Sequence, residues 1–153
     1  MSNQRTHLNY LAQCLDLAKA AVESGNHPFG ALLVKDDRVV ATSKNEVVVL
    51  HDVTAHAELR LIQKAQVELT AEELKDCTLY TSTEPCAMCS GAIYWAGISK
   101  VVYGCSTSQL FNIVKSGLFI KAEEVFFKGT RKIEVLDYSH EKKFIKIHEN
   151  FWR

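Results

Sequence analysis

Two short stretches hold the residue types that do chemistry: Ala55-His56-Ala57-Glu58 and Glu84-Pro85-Cys86-Ala87-Met88-Cys89. Cys86 and Cys89 stand three apart, a spacing that on a helix brings both sulfurs to one face and one point. A helix opening near Pro85, a residue suited to the first helical position, sets both thiols in its first turns, where the macrodipole favours thiolate. His56 falls in the first turn of a second helix. One imidazole and two thiolates make three metal ligands, and a zinc site with three protein ligands keeps a fourth position open for water. Zinc lowers the pKa of that water towards ~7, and Glu58 is placed to take its proton and pass it to a substrate. Such a site is hydrolytic.

Two other readings use the same residues. A C-x-x-C pair also suits a redox dithiol, and Cys77 or Cys105 joined to His56, Cys86 and Cys89 would close a structural zinc site. Neither has a use for a carboxylate at position 58.

The elements that must carry these residues alternate in type. Leu8, Leu11, Ala12, Leu15, Ala18 and Val22 predict an amphipathic helix over 6–24, stopped by Gly25. Two apolar runs, Gly30 to Lys35 and Arg38 to Ser43, flank Asp36-Asp37 and read as a hairpin. A helix over 54–67 has Thr54 as its N-cap, Thr78 to Ser82 and Lys100 to Gly104 read as strands, and the Cys86 helix lies between them. Beyond residue 105 the pattern weakens: Val114 to Phe127 is ambiguous, Lys132 to Leu136 reads as a strand, and His140 to Trp152 as a closing helix. The alternation predicts a layered α/β domain, one unit over residues 1–153, with a partly parallel sheet.

The 153 residues are 47% hydrophobic and 24% charged, enough for a real core and too apolar for disorder. Eighteen basic residues balance eighteen acidic ones, which argues against a protein whose main task is to grip nucleic acid. No apolar run approaches the ~20 residues of a membrane span, and the polar start has no signal-peptide core, so the expected location is the cytoplasm. Five cysteines there read as ligands, nucleophiles or buried thiols: Cys14, Cys77 and Cys105 as core thiols, Cys86 and Cys89 as ligands. His7, His27, His51, His140 and His148 have no partner identifiable in the sequence.

His-x-Glu followed by Pro-Cys-x-x-Cys is the signature of zinc deaminases. With it stand His27-Pro28-Phe29-Gly30-Ala31, Asn45, the run Leu79 to Cys89, and Gly91-Ala92-Ile93-Tyr94-Trp95-Ala96. On these motifs the chain resembles the cytidine deaminase superfamily over roughly residues 5–105, and within it bacterial guanine deaminases more than transfer-RNA adenosine deaminases. The resemblance implies a three-layer α/β/α sandwich around a mixed sheet of about five strands. It implies Zn2+ on His56, Cys86 and Cys89, Glu58 as proton shuttle, and a base contacted by Asn45, Phe29, the backbone around Ala57, and Trp95. Core packing is the competing reading of Trp95. The implied reaction replaces the exocyclic amine of a free nucleobase or nucleoside by a carbonyl oxygen, in a homodimer. Guanine leads as substrate, although Thr83 and Ala87 depart from the guanine deaminase pattern; cytosine or another amino-heterocycle follows. Adenosine in a transfer RNA and an inactive zinc-stabilised binding domain are the alternatives.

Overall fold

The inner strands are apolar at consecutive positions and so supply two faces of one sheet. The computed structural model describes residues 2–152. In chain order the elements are α1 (Ser2–Glu23), β1 (Gly30–Lys35), β2 (Arg38–Lys44), α2 (Val47–Leu50), α3 (Ala57–Glu68), α4 (Ala71–Lys75) and β3 (Thr78–Thr83). They continue with α5 (Ala87–Ala96), β4 (Lys100–Cys105), α6 (Thr107–Val114), α7 (Ala122–Phe127), β5 (Glu134–Asp137) and α8 (Lys143–Phe151).

The five strands form one mixed sheet in the order β2-β1-β3-β4-β5. β1 pairs antiparallel with β2 and β3, whereas β3–β4 and β4–β5 are parallel. Ala31, Leu33, Leu79 and Val101 point to one side, where they pack with Leu61 and Ile62 of α3, Ile93 of α5 and Phe126 of α7. Leu32, Val34, Tyr80 and Val102 point to the other, against Leu11, Cys14 and Leu15 of α1 and Phe144 of α8. The result is the expected α/β/α sandwich, with the inner strands buried on both faces.

Local chemistry sets the joints. Asp36 and Asp37 both take positive φ, 51° and 58°, which makes the two-residue turn of the predicted hairpin. Gly25, at φ 89°, ends α1. A Cβ on Gly104 would stand 2.5 Å from Cγ of Phe144, so this glycine lets α8 lie directly on β4. Helix α1 starts before the predicted residue 6; Asn3, Gln4 and Arg5 are exposed and add nothing to the apolar period, so the period does not reveal that first turn.

Two helix starts differ from expectation. Thr54 does not cap α3: its N–H and hydroxyl both bind Oδ1 of Asp52, and the cap is His56. Likewise α5 begins after Cys86 rather than at Pro85. The one- and two-turn helices α2, α4 and α6 were too short to show a period, although Thr70 with Glu73 and Ser106 with Gln109 form capping boxes. Among the described residues no helix is long and apolar enough to cross a membrane.

Candidate active site

His56 and Cys86 occupy matching positions, each the N-cap of its helix in extended backbone, and neither makes a side-chain cap hydrogen bond. Cys89, the third residue of α5, joins them, and the three ligand atoms lie within 4.8 Å of one another. Nδ1 of His56 is 3.5 Å from Sγ of Cys86. Zinc bonded tetrahedrally to sulfur and nitrogen at its usual bond lengths would hold them about 3.6 Å apart. The donor set and its spacing therefore fit zinc.

Among the described residues no other His, Cys, Asp and Glu close on a point in this way. Cys77 and Cys105 stand outside the group, with thiols turned to the carbonyls of Glu73 and Ser106, so the closed four-ligand reading does not hold. Cys14, Cys77 and Cys105 are buried thiols, as expected.

The charges organise around Cys86. A hydrogen bond with Cys89, followed by one with His56, pulls the Cys86 thiol down, and the same bond pushes Cys89 up. Contact with Cys86 raises His56. Glu58, in the first turn of α3, is buried beside them; desolvation and then the charge of Cys86 bring its carboxyl to about 7.

A cavity of about 370 Å³ opens over this group, near the low end for ligand pockets. Phe29, His56, Glu58 and Cys86 line it from the sheet side. Residues 110–111 and 116–120 roof it, with the rings of Phe111 and Phe119 stacked at 4.8 Å. No lining residue is Lys or Arg.

The other expected contacts are placed unevenly. Asn45 is buried next to Phe29, whose carbonyl accepts its backbone N–H at 3.0 Å, but it is not among the residues lining the cavity. Its side-chain carbonyl accepts the N–H of Val47, so a base would meet its amide nitrogen. Ala57 buries its methyl in the core, which leaves only its backbone for a ligand. Trp95 is 84% exposed and outside the cavity. Both readings of it fail within the chain, because α5 turns Ser90, Ile93 and Ala96 inward and Trp95 away.

Sequence reading missed two residues. His148, given no partner, is fully buried, with Nε2 2.7 Å from Oγ1 of Thr83 and Nδ1 accepting from Nε1 of Trp152 at 3.1 Å. Its ring lies 5.2 Å from that of Phe29, which backs Phe29 at the cavity wall. Glu84 lines the cavity and binds backbone N–H groups of two helices. The contacts to Thr83, Thr107 and Ala122 have no local signature, since those partners lie 23 to 65 residues away.

Residues 4–105, which carry all four chemical residues, match the cytidine and deoxycytidylate deaminase zinc-binding region. The chain belongs to this deaminase family. The probable cytosine deaminase of Schizosaccharomyces pombe is 39% identical over 150 residues, 95% of this chain and 91% of that one. The guanine deaminase of Bacillus subtilis is 48% identical over 98 residues, 63% of each chain. A solved tRNA:A34 deaminase, from a study of A-to-I editing at the wobble position, superposes with a TM-score of 0.74 at 34% identity, covering 92% of this chain and 99% of the other. The family and its hydrolytic deaminase chemistry are common ground among these relatives, whose substrates differ.

Proposed function

We propose that this deaminase hydrolyses the exocyclic amine of a free nucleobase, with cytosine ahead of guanine. The observation that carries the reading is Glu58, a buried carboxyl that lines the same small, apolar-roofed cavity as two members of a three-residue zinc set. His56, Cys86 and Cys89 would hold zinc, which would supply a Lewis acid able to make water a nucleophile at neutral pH. Glu58 takes one proton from the attacking water and gives it to the ring nitrogen; the second proton, from the hydroxyl left on the ring carbon, passes by the same carboxylate to the amine, which leaves as ammonia as the carbonyl forms. The balance is amine plus water to carbonyl plus ammonia. Phe29 stacks on the base, the Asn45 amide and the backbone N–H of Ala57 bind its edge, and the roof excludes water.

Cytosine moves ahead of guanine because, over 95% of the chain and so over most of the roof-bearing segment beyond residue 105, the S. pombe protein is 39% identical. Over the same share of the chain the solved B. subtilis guanine deaminase is 33% identical, its 48% being confined to 63% of the chain. The absence of Lys and Arg from the cavity lining supports a free base over a transfer RNA, whose phosphates need neutralising. The full-length likeness to the tRNA:A34 deaminase keeps RNA as the second reading. A cytoplasmic homodimer completes the proposal, with the exposed Trp95 and Met88 of α5 as apolar surface for a second copy.

The test is ammonia release by zinc-loaded protein from cytosine, guanine, adenine, their nucleosides and an anticodon stem-loop. Release from cytosine is expected; release from guanine alone would reinstate the purine, and release from the stem-loop alone would overturn the free-base reading.

A further inference from the structure

Glu84 sits at the joint between the zinc-binding turn and the cavity roof. Its backbone N–H donates to the carbonyl of Cys105 at 2.7 Å, which ties together the ends of the parallel strands β3 and β4. Its carboxylate is divided between two helices. Oε1 accepts the N–H of Thr107 and Oε2 that of Ala122, both at 2.8 Å. Thr107 and Ala122 are the first residues of α6 and α7. First-turn N–H groups have no partner within their helix, and an anion there meets the positive end of the dipole. Between these two attachments runs the segment 107–122, which contributes Leu110, Phe111, Leu118 and Phe119 to the cavity.

We propose that Glu84 is a positioning residue for substrate binding: one carboxylate fixes both ends of the roof to the strand end that leads into Cys86. The roof and the metal ligands then share one rigid origin, and Glu84 acts on the base through the roof. The effect on substrate rests on the deaminase reading; the fastening of the roof does not.

The bonds can be removed one at a time. Thr107→Pro and Ala122→Pro each delete one donor N–H, at a helical position that proline favours. Ser106 and Lys121 before them already have the extended backbone that proline requires. Glu84→Gln replaces one acceptor oxygen by a donor, and if that variant folds poorly the two proline variants carry the test. On the zinc-loaded full chain, hydrogen exchange over 107–122 should quicken about tenfold in each variant, with α1 and the zinc content unchanged. KM for cytosine should rise about tenfold while kcat falls much less, the sign of lost binding rather than lost chemistry. Of Thr107→Pro and Ala122→Pro, the one at the N–H that faces the new amide nitrogen should add little to Glu84→Gln, because both delete the same bond. Unchanged exchange over 107–122, loss of zinc, or a fall in kcat at constant KM would each overturn the proposal. Should no base be deaminated, the exchange measurement still decides whether Glu84 fastens the roof.

Discussion

Glu58, buried in the first turn of α3 and lining the cavity with His56 and Cys86, is the carboxyl placed to accept and release a proton there. Glu58→Ala is therefore expected to keep one zinc per chain and to lose roughly 10²- to 10⁴-fold in rate, read as zinc content and initial ammonia release. Cys86→Ala should instead lose the zinc. At this scale the sequence was most legible where spacing itself carries chemistry. His56, Glu58, Cys86 and Cys89 were readable because they are close in the chain and convergent in type, and the structure gathers the three ligand atoms within 4.8 Å. Asn45 was less readable: its side-chain carbonyl is already bound to Val47, a contact that depends on how the loop folds. Trp95 could not be placed, because hydrophobicity gives no indication of which way a helix turns a ring.

The closing helix shows how far a whole element can be read. Phe144, His148, Phe151 and Trp152 recur at helical spacing, and of these Phe144 and His148 are buried. The helix is held to β3 by the bond between His148 and Thr83, and burial without a countercharge pulls the His148 imidazole down from 6.5 to about 4. An unfolded chain takes up that proton first. The stability due to neutral His148 is therefore complete above about 6.5, is lost as pH falls towards 4, and levels off below, a loss on the order of 3 kcal/mol. Glu58, raised from 4.5 to about 7, works in the opposite direction over the same range, so the comparison with a variant is the informative quantity. Urea unfolding at pH 7, 5.5 and 4.5 should show the advantage of the wild type over His148→Gln shrinking at each step. Other elements were less visible. Helix α2 is a single turn of Val47-Val48-Val49-Leu50, whose β-branched residues favour strand, and it forms because its flanks fix it.

For the molecule as a whole, zero formal charge and a cavity lining without Lys or Arg predict weak sensitivity to salt. Between about 50 and 200 mM salt, kcat/KM on cytosine should change less than about twofold, whereas a protein that must hold six or more phosphates loses about 10³-fold or more. The layered α/β architecture was legible because helix and strand periods alternate cleanly through residue 105. The strand order was not, since pairing is a long-range choice; β5, with only four residues and no buried one, gave the weakest signal. The β1–β2 hairpin is a case where pattern is silent and geometry decides. Because β1 is apolar toward both layers, sliding it by one residue would exchange Ala31 and Leu33 for Leu32 and Val34 without exposing anything polar. What sets its alignment is the tight turn at Asp36-Asp37, about 20 Å of strand away from Phe29, together with the one-residue bulge that shifts the register between Leu33 and Val34. Phe29 and Asn45 are the two ends of that same hairpin, joined by a single hydrogen bond. The turn thus works as a distant vernier: inserting or deleting one residue there would shift the aromatic and amide contacts past each other by one notch and leave His56, Cys86 and Cys89 untouched. With Phe29 and Asn45 as the proposed base contacts, substrate choice would be retuned from the far end of the molecule while the three ligands stay as they are.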